Sequence, residues 1–252
     1  MQPLGSTAPW CNPKKPNMEL VGVSHGLTLQ ELTRWEALAL SIGARYWQVY
    51  DTGSPALDAK TVEVTEVSNS HYEFGGYLSG VQRVQTDGPY IIVNSTMFLT
   101  RALGIWKRVL NASNAYAFPI YGDATPSPDP RIPEIPHPYY SSWIFLIRDR
   151  KALQTFTTAL ERTLSHFAPE PSPAYAGYLE SWLNPRNRFY GWHGPKTPQS
   201  VERKKMTIGW EHRLSAELAT LGIASFAELS SWHKLAQLVD KIKRHWASFA
   251  KS

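Results

Sequence analysis

The sequence is poor in cysteine and in net charge, and it has no long apolar run. Cys11 is the one cysteine among 252 residues, which excludes an internal disulfide and a cysteine-rich metal cluster and predicts a reducing compartment such as the cytoplasm. The net charge of +5 suits an anionic ligand, such as a nucleotide phosphate, but is too small to indicate nucleic-acid binding. The longest apolar run, residues 143–147, is much shorter than the ~18 residues that a membrane-spanning helix needs. Residues 1–17 contain four prolines and no apolar core, which predicts a flexible arm rather than a signal peptide.

The remaining sequence alternates between strand and helix patterns. Apolar runs rich in β-branched and aromatic residues predict strands, and apolar residues at three- and four-residue steps predict helices. The predicted strands are 18–23, 46–50, 61–67, 90–93, 118–121 and 143–148, and the predicted helices are 29–42, 70–84, 98–110 and 153–167. This alternation predicts a three-layer α/β sandwich.

Two proline-rich segments interrupt the pattern. Residues 119–138 carry seven prolines and residues 169–200 carry six, so both are predicted to be loops. Beyond them the sequence predicts only helices, at 200–221 and 226–249. The predicted organisation is therefore an arm at 1–17, an α/β body at 18–198 and a helical C-terminal subdomain at 199–252.

The turn Asp51-Thr52-Gly53-Ser54 follows the second predicted strand. It matches an aspartic-protease signature, but that chemistry needs two carboxylates sharing a proton, and the motif occurs once in an α/β pattern. Two other interpretations stay open. The turn either simply terminates the strand, or it places Asp51 where open α/β sheets bind their ligands, so that the carboxylate accepts a hydrogen bond from a ribose or a base.

A second polar group surrounds the start of the helix predicted from Ser70. Ser70 and Glu73 have capping-box spacing, which by itself accounts for Glu73. It does not account for Gly75 and Gly76, because each glycine inside a helix costs on the order of 1 kcal/mol relative to alanine. Either a phosphate or sugar hydroxyl approaches the backbone at the positive end of this helix, or the helix packs closely on a strand.

Three later segments place polar groups beside apolar elements. The motif Asn94-Ser95-Thr96 ends a strand without a carboxylate, so no divalent metal is expected there. The segment 137–142 closes the first proline-rich loop with His137, Tyr140, Ser141 and Ser142. Glu211 lies in the helix predicted at 200–221, where a surface salt bridge is the default interpretation.

Taken in order, these segments resemble the motifs of bacterial polysaccharide glycosyltransferases with a GT-A-like fold, in particular the rhamnan-synthesis type. The matching segments span residues 45–222 and are 50–54 (YDTGS), 69–77 (NSHYEFGGY), 93–96 (VNST), 137–145 (HPYYSSWIF) and 211–215 (EHRLS). The chain departs from the family pattern in three places. Ser95 replaces an acidic residue, Ser70-His71 replaces a glycine, and the glutamine of the fourth segment is absent.

The resemblance implies a GT-A-like α/β/α sandwich that transfers a sugar from a nucleotide-sugar donor to a glycan or lipid-linked glycan in cell-surface polysaccharide synthesis. It implies catalytic roles for Glu211, as general base, and for His137, and acceptor contacts from Tyr140, Ser141 and Ser142. Donor contacts are expected from Asp51, Thr52, Gly53, Ser54, Glu73, Gly75, Gly76, Asn94, Ser95 and Thr96. No metal or other cofactor is expected, and the basic segment 186–196 is a candidate to neutralise the leaving phosphate. A non-catalytic sugar- or nucleotide-binding protein on the same fold is the alternative.

The helix predicted at 226–249 is amphipathic, with cations near its end. Its apolar stripe includes Trp232, Trp246 and Phe249, and its cations include Lys241, Lys243 and Arg244. Two interpretations stay open: the stripe docks on its own domain, or the helix makes a peripheral contact with an anionic membrane surface at the cytoplasmic face.

Overall fold

The structure is a computed structural model of the chain. It describes residues 18–25, 27–51, 54–58, 63–67, 71–95, 116–117, 120–124, 138–140, 142–165, 172–185, 192, 194 and 196–222. The arm at 1–17 and the helices predicted at 98–110 and 226–249 lie outside these residues.

A six-stranded mixed sheet forms the centre of the fold. Its strands are β1 (Met18–Ser24), β2 (Ala44–Asp51), β3 (Glu63–Val67), β4 (Tyr90–Asn94), β5 (Tyr116–Ala117) and β8 (Ile144–Ile147), in the spatial order β3-β2-β1-β4-β8-β5. β1 to β4 are parallel, and β8 is antiparallel to both β4 and β5. β6 (Ile120–Ala124) and β7 (Pro138–Tyr140) pair in a separate two-stranded sheet. The central strands are apolar along most of their length because both of their faces are covered.

Helices cover both faces of the sheet. α1 (Leu29–Ser41) packs on one face, and α2 (Tyr72–Val81), α3 (Arg150–Ser165) and α5 (Pro198–Thr220) share an apolar core on the other. α4 (Pro173–Leu183) packs on α5. The predicted three-layer α/β/α architecture is therefore confirmed. Among the described residues, none of these helices combines the length and hydropathy of a membrane-spanning segment.

The first helix begins where the sequence predicts. The Thr28 hydroxyl accepts a hydrogen bond from the backbone N–H of Glu31 (3.3 Å), and the Glu31 carboxylate accepts one from the N–H of Thr28 (2.8 Å). These two bonds satisfy backbone donors that the helix leaves unpaired at its start. The prediction of a second capping box is wrong, since His71 rather than Ser70 precedes α2 and makes no side-chain capping bond.

The proline-rich segments hold more regular structure than predicted. α4 lies inside the segment predicted as a loop at 169–200, because Pro173 occupies the first helical turn, where its missing N–H is harmless, and the Ser172 hydroxyl accepts from Tyr175 N–H. β6 and β7 likewise lie within or beside the loop predicted at 119–138.

The helix predicted at 200–221 belongs to the α/β core. Trp210, Leu214 and Leu218 of α5 are buried against α2 and α3, so this part of the predicted helical subdomain is one of the layers over the sheet. Residues 223–252 of that subdomain lie outside the described residues.

α2 lies unusually close to the sheet at two glycines. A Cβ atom added to Gly76 would come within 2.5 Å of a methyl group of Val23 on β1, and one added to Gly80 would collide with Val21 on the same strand. Of the two interpretations left open for the paired glycines, close packing accounts for Gly76.

We therefore expect Gly76→Ala to destabilise the protein by about 1–3 kcal/mol, because the stiff side chain of Val23 cannot move away from the added methyl group. Gly177→Ala is the matched control. Gly177 lies in α4, and apart from its chain neighbours and the backbone of its own helix no atom of the described residues lies within 4 Å of a Cβ position. Alanine there should therefore stabilise the protein by roughly 0.5–1 kcal/mol. Urea unfolding of the two variants measures both effects. A Gly76→Ala protein as stable as Gly177→Ala would contradict the close contact.

Candidate functional site

The carboxyl ends of the parallel strands bring the polar residues of several segments to one edge of the sheet. β1, β2 and β4 end there at Ser24, Asp51 and Asn94. β8 is antiparallel and begins at the same edge, directly after Ser142 and Trp143. The register places Val49, Val23 and Asn94 side by side, so β2 and β4 are separated by about 10 Å, which is two strand spacings.

Glu211 is the central residue of the part of the site next to β4 and β8. It projects from the middle of α5, one residue after the buried Trp210, and it stays partly exposed to solvent. Its Oε1 accepts two hydrogen bonds from Ser142, one from the backbone N–H (2.7 Å) and one from the hydroxyl (2.9 Å). Among the described residues, no hydrogen bond reaches Oε2.

The surroundings of Glu211 favour its protonated form. Desolvation raises the pKa of the Glu211 carboxyl above its ordinary value, and the nearby carboxylate of Glu73 on α2 adds to this effect. The hydrogen bonds from Ser142 and the charge of Lys204, two turns earlier on α5, act in the opposite direction but do not cancel the effect of desolvation on that pKa. A carboxylate with a raised pKa is a stronger base than an ordinary carboxylate.

Tyr77 connects this carboxylate to the end of β4. The Tyr77 ring is fully buried, and its hydroxyl donates a hydrogen bond to the backbone carbonyl of Ser142 (2.6 Å). The side chain of Asn94 is a second hydrogen-bond partner of this hydroxyl. Asn94, Tyr77, Ser142 and Glu211 therefore form one continuous group.

Asp51 is the centre of the part of the site next to β1 and β2. Its Oδ2 lies 2.7 Å from Nδ1 of His25, which directly follows β1, and its Oδ1 accepts a hydrogen bond from the Ser54 hydroxyl. Burial acts to raise the pKa of Asp51, but the bonds from Ser54 and His25 outweigh it and leave that pKa below its ordinary value. The His25 side chain is 44% exposed, so the imidazole ring of the pair is accessible to solvent at the sheet edge.

The structure brings together part of the predicted set. Asp51 and Ser54 lie in one half of the site, and Glu73, Asn94, Ser142 and Glu211 lie in the other. Ser95 and Gly75 are partly exposed, at the end of β4 and in the first turns of α2. Thr52, Gly53, Thr96, His137 and Ser141 lie outside the described residues, and Tyr140 is described only as part of the backbone of β7.

Three predicted contacts have another role in the structure. Gly76 faces Val23 rather than the sheet edge. Ser142 is 6% exposed and uses its hydroxyl to hold Glu211, so it orients the carboxylate instead of offering that hydroxyl to an acceptor. Asn94 is 5% exposed and its side chain is engaged by Tyr77.

Lys196, at the end of the predicted basic segment 186–196, makes its contacts within the protein. The Lys196 ammonium donates to the backbone carbonyls of Leu183 and Trp192 and lies 4.6 Å from the centre of the Trp192 ring. These contacts hold Lys196 at the end of α4, and its predicted role in neutralising a phosphate stays a prediction. Arg186 and Arg188 lie outside the described residues.

Sequence reasoning missed His25, Tyr77 and Lys204. His25 has no metal-ligand spacing, which predicts a surface residue, and Tyr77 fits the apolar face of its helix. Lys204 lies seven residues before Glu211, which is two helical turns, and this spacing is the available signal for it. Among the described residues there is no group of three or more histidine, cysteine or acidic side chains placed to hold a metal ion.

Comparison with known proteins assigns no family to the chain. No protein-family model and no curated protein matches the chain. Among solved structures, the chain is similar to 2-C-methyl-D-erythritol 4-phosphate cytidylyltransferase from Thermus thermophilus, with 12% identity and a TM-score of 0.39 over 76% of this chain and 98% of that one. A likeness of this extent assigns neither an activity nor a site residue to this chain.

The environment of Glu211 predicts a pH-dependent stability. Between about pH 4.5 and the raised pKa, the folded protein holds a proton that the unfolded chain has released, so this contribution to stability is lost as the pH rises. Glu211→Gln keeps an oxygen that can accept from Ser142 and removes the ionisation. We expect the free energy of unfolding of the variant, relative to the wild type, to increase between about pH 5 and about pH 8.

Urea unfolding at the two pH values measures this difference, with Glu202→Gln as the control. Glu202 is exposed on the same helix, so its replacement should leave the pH dependence of the wild type unchanged. Equal pH dependence in all three proteins would show that the folded state does not favour protonation of Glu211.

Proposed function

We propose that this protein is a glycosyltransferase that moves a sugar from a nucleotide-sugar donor to a hydroxyl group of a glycan or lipid-linked glycan. The observation that carries the proposal is Glu211, a partly exposed carboxylate. It is oriented through Oε1, has no hydrogen bond from a described residue at Oε2, and has its pKa raised by its surroundings. That combination is what a general base for an acceptor hydroxyl requires.

In such a transfer, one half of the site would bind the donor and the other the acceptor. The His25–Asp51 pair lies where a donor can be held through its ribose or phosphate groups, at the ends of β1 and β2. Glu211 lies on the side of the acceptor, where it is bonded to Ser142 beyond β4 in the strand order. A nucleotide sugar laid across the ends of β2, β1 and β4 spans this separation. The sheet edge is where open α/β folds bind their ligands.

The reaction follows from these positions. Oε2 of Glu211 takes the proton of the acceptor hydroxyl while the hydroxyl oxygen forms a bond to the anomeric carbon. The bond from that carbon to the phosphate oxygen breaks, and its electron pair leaves with the nucleoside diphosphate. In this scheme Glu211 serves as the base of an inverting transfer.

Cations on α5 are candidates to neutralise the leaving phosphate. The Arg203 guanidinium lies 4.3 Å from the centre of the Tyr72 ring at the start of α2, and the Lys204 ammonium lies 5.6 Å from that of Trp182 and acts on the charge of Glu211. Tyr72 adopts a left-handed backbone conformation (φ 48°), which is rare for a bulky side chain and is found where a site constrains the chain. Arg186 and Arg188, which the sequence predicts for the same role, lie outside the described residues.

We therefore expect turnover to proceed without a divalent metal, because the cations of α5 neutralise the charge of the leaving group. Release of nucleoside diphosphate from a panel of nucleotide sugars, measured with and without EDTA, tests this directly. Complete loss of nucleoside diphosphate release in EDTA, restored by manganese, would show that a metal, rather than Arg203 and Lys204, neutralises the leaving phosphate.

We expect Glu211→Gln to lower the turnover of nucleotide sugars about 100-fold or more, because the variant cannot accept the acceptor proton. Thermal-shift stabilisation by the same nucleotide sugars should be retained, since the donor half of the site is unchanged. Glu202→Gln is the control on the exposed face of α5 and should be fully active. A fully active Glu211→Gln protein would remove Glu211 from the mechanism.

The same panel separates the enzyme from the alternative of a non-catalytic binding protein. Nucleotide sugars that raise the melting temperature but are never consumed, with any acceptor glycan tested, would support the binding protein. The expected result is both stabilisation and release of nucleoside diphosphate.

A further inference from the structure

We propose that Tyr77 is a positioning residue that acts on Glu211 through Ser142. Its hydroxyl holds the Ser142 carbonyl, so that the N–H and the hydroxyl of Ser142 stay aimed at Oε1 of the carboxylate. The catalytic meaning of this arrangement rests on the function proposed for Glu211, but its effect on the carboxylate does not.

The geometry of Ser142 requires an external support. Ser142 precedes β8, and it is 69 positions away from Glu211 and 65 from Tyr77 along the chain. No regular element holds its backbone, yet its N–H must point at Glu211 to make the 2.7 Å bond. The bond from Tyr77 to its carbonyl and the bond from Asn94 N–H to the carbonyl of Trp143 (3.2 Å) fix the backbone on that side.

Tyr77 is itself immobile in the core. Its ring is fully buried and makes edge-to-face contacts with Phe74 and Phe145, each with ring centres 5.6 Å apart. The side chain of Asn94 engages the same hydroxyl. The hydroxyl therefore has little freedom, and it transmits that rigidity to Ser142.

The consequence for Glu211 has a definite direction. Both bonds from Ser142 stabilise the ionised carboxylate, so loosening Ser142 removes stabilisation of the charged form and raises the pKa of Glu211 further. Among the described residues, the other groups that act on this carboxylate are Glu73 on α2 and Lys204 on α5, and the phenols of Tyr77 and Tyr175 lie near it. Glu73, Lys204 and Tyr175 are unchanged when only the Tyr77 hydroxyl is removed.

The test is a titration of the Glu211 carboxyl carbon by ¹³C NMR, with the resonance assigned by its loss in Glu211→Gln. In Tyr77→Phe we expect the midpoint to lie about half a pH unit or more above that of the wild type.

Tyr90→Phe is the matched control. Tyr90 is also buried, and its hydroxyl also donates to a backbone carbonyl, that of Thr86 (2.5 Å), but it lies at the opposite end of β4. The titration midpoint of Glu211 in Tyr90→Phe should equal that of the wild type.

The outcomes separate the two proposals. A folded Tyr77→Phe protein with the wild-type midpoint overturns the positioning role, and so does an equal shift in Tyr90→Phe. If Tyr77→Phe does not fold, Asn94→Ala replaces it. Because Asn94→Ala removes the other partner of the Tyr77 hydroxyl, it should move the Glu211 midpoint in the same direction, and an unchanged midpoint overturns the proposal.

A shift of the Glu211 midpoint without any turnover of nucleotide sugars keeps the positioning role and rejects the glycosyltransferase. With turnover, the acidic limb of kcat/KM should move by the same interval as the NMR midpoint.

Discussion

The site depends on the close contact between α2 and β1. Gly76 and Gly80 allow the helix to lie against Val23 and Val21 without intervening side chains. Tyr77 directly follows Gly76, and the depth of the helix is what lets its ring reach past β4 to the start of β8. A helix held further from the sheet would leave the Tyr77 hydroxyl short of that strand. The glycines therefore serve the site indirectly, by setting the position of the helix rather than by touching a ligand.

The same packing explains why Glu211 is tolerated in an unfavourable setting. Trp210, the preceding residue, is 2% exposed and contacts Phe74 and Tyr72 of α2, so α5 cannot rotate its carboxylate outward without opening the core. The burial of large aromatic rings around the carboxylate offsets the free energy of desolvating it. A group kept in a destabilising environment by the rest of the fold is a common feature of active sites.

The strands and helices were more predictable from the sequence than the site, because the signals that define a single strand or helix lie close together along the chain. The strands can be recognised in the sequence as apolar runs, and the capping box that starts α1 involves only residues close to one another in the sequence. Even the missed helix α4 carries a local signal, since Pro173 stands at a position that tolerates proline. The site lacks such signals. His25 meets Asp51 only because β1 and β2 lie side by side, and Ser142 meets Glu211 across 69 positions. The role of a side chain in this site is set by partners that only the fold defines.

The two carboxylates at the sheet edge differ in the direction in which their surroundings act. Hydrogen bonds from Ser54 and His25 lower the pKa of Asp51 against the effect of its burial, so it stays ionised and is suited to hold a ligand through hydrogen bonds. Desolvation raises the pKa of Glu211 in spite of its bonds from Ser142, so it is suited to accept and release a proton. Two acids whose environments separate their pKa values in this way mark a division between a binding group and a proton-transfer group. This division matches the spatial one, with Asp51 beyond β1 on one side and Glu211 beyond β4 on the other. It is the reason that the proposed function assigns the donor to β1 and β2 and the acceptor to β4 and β8.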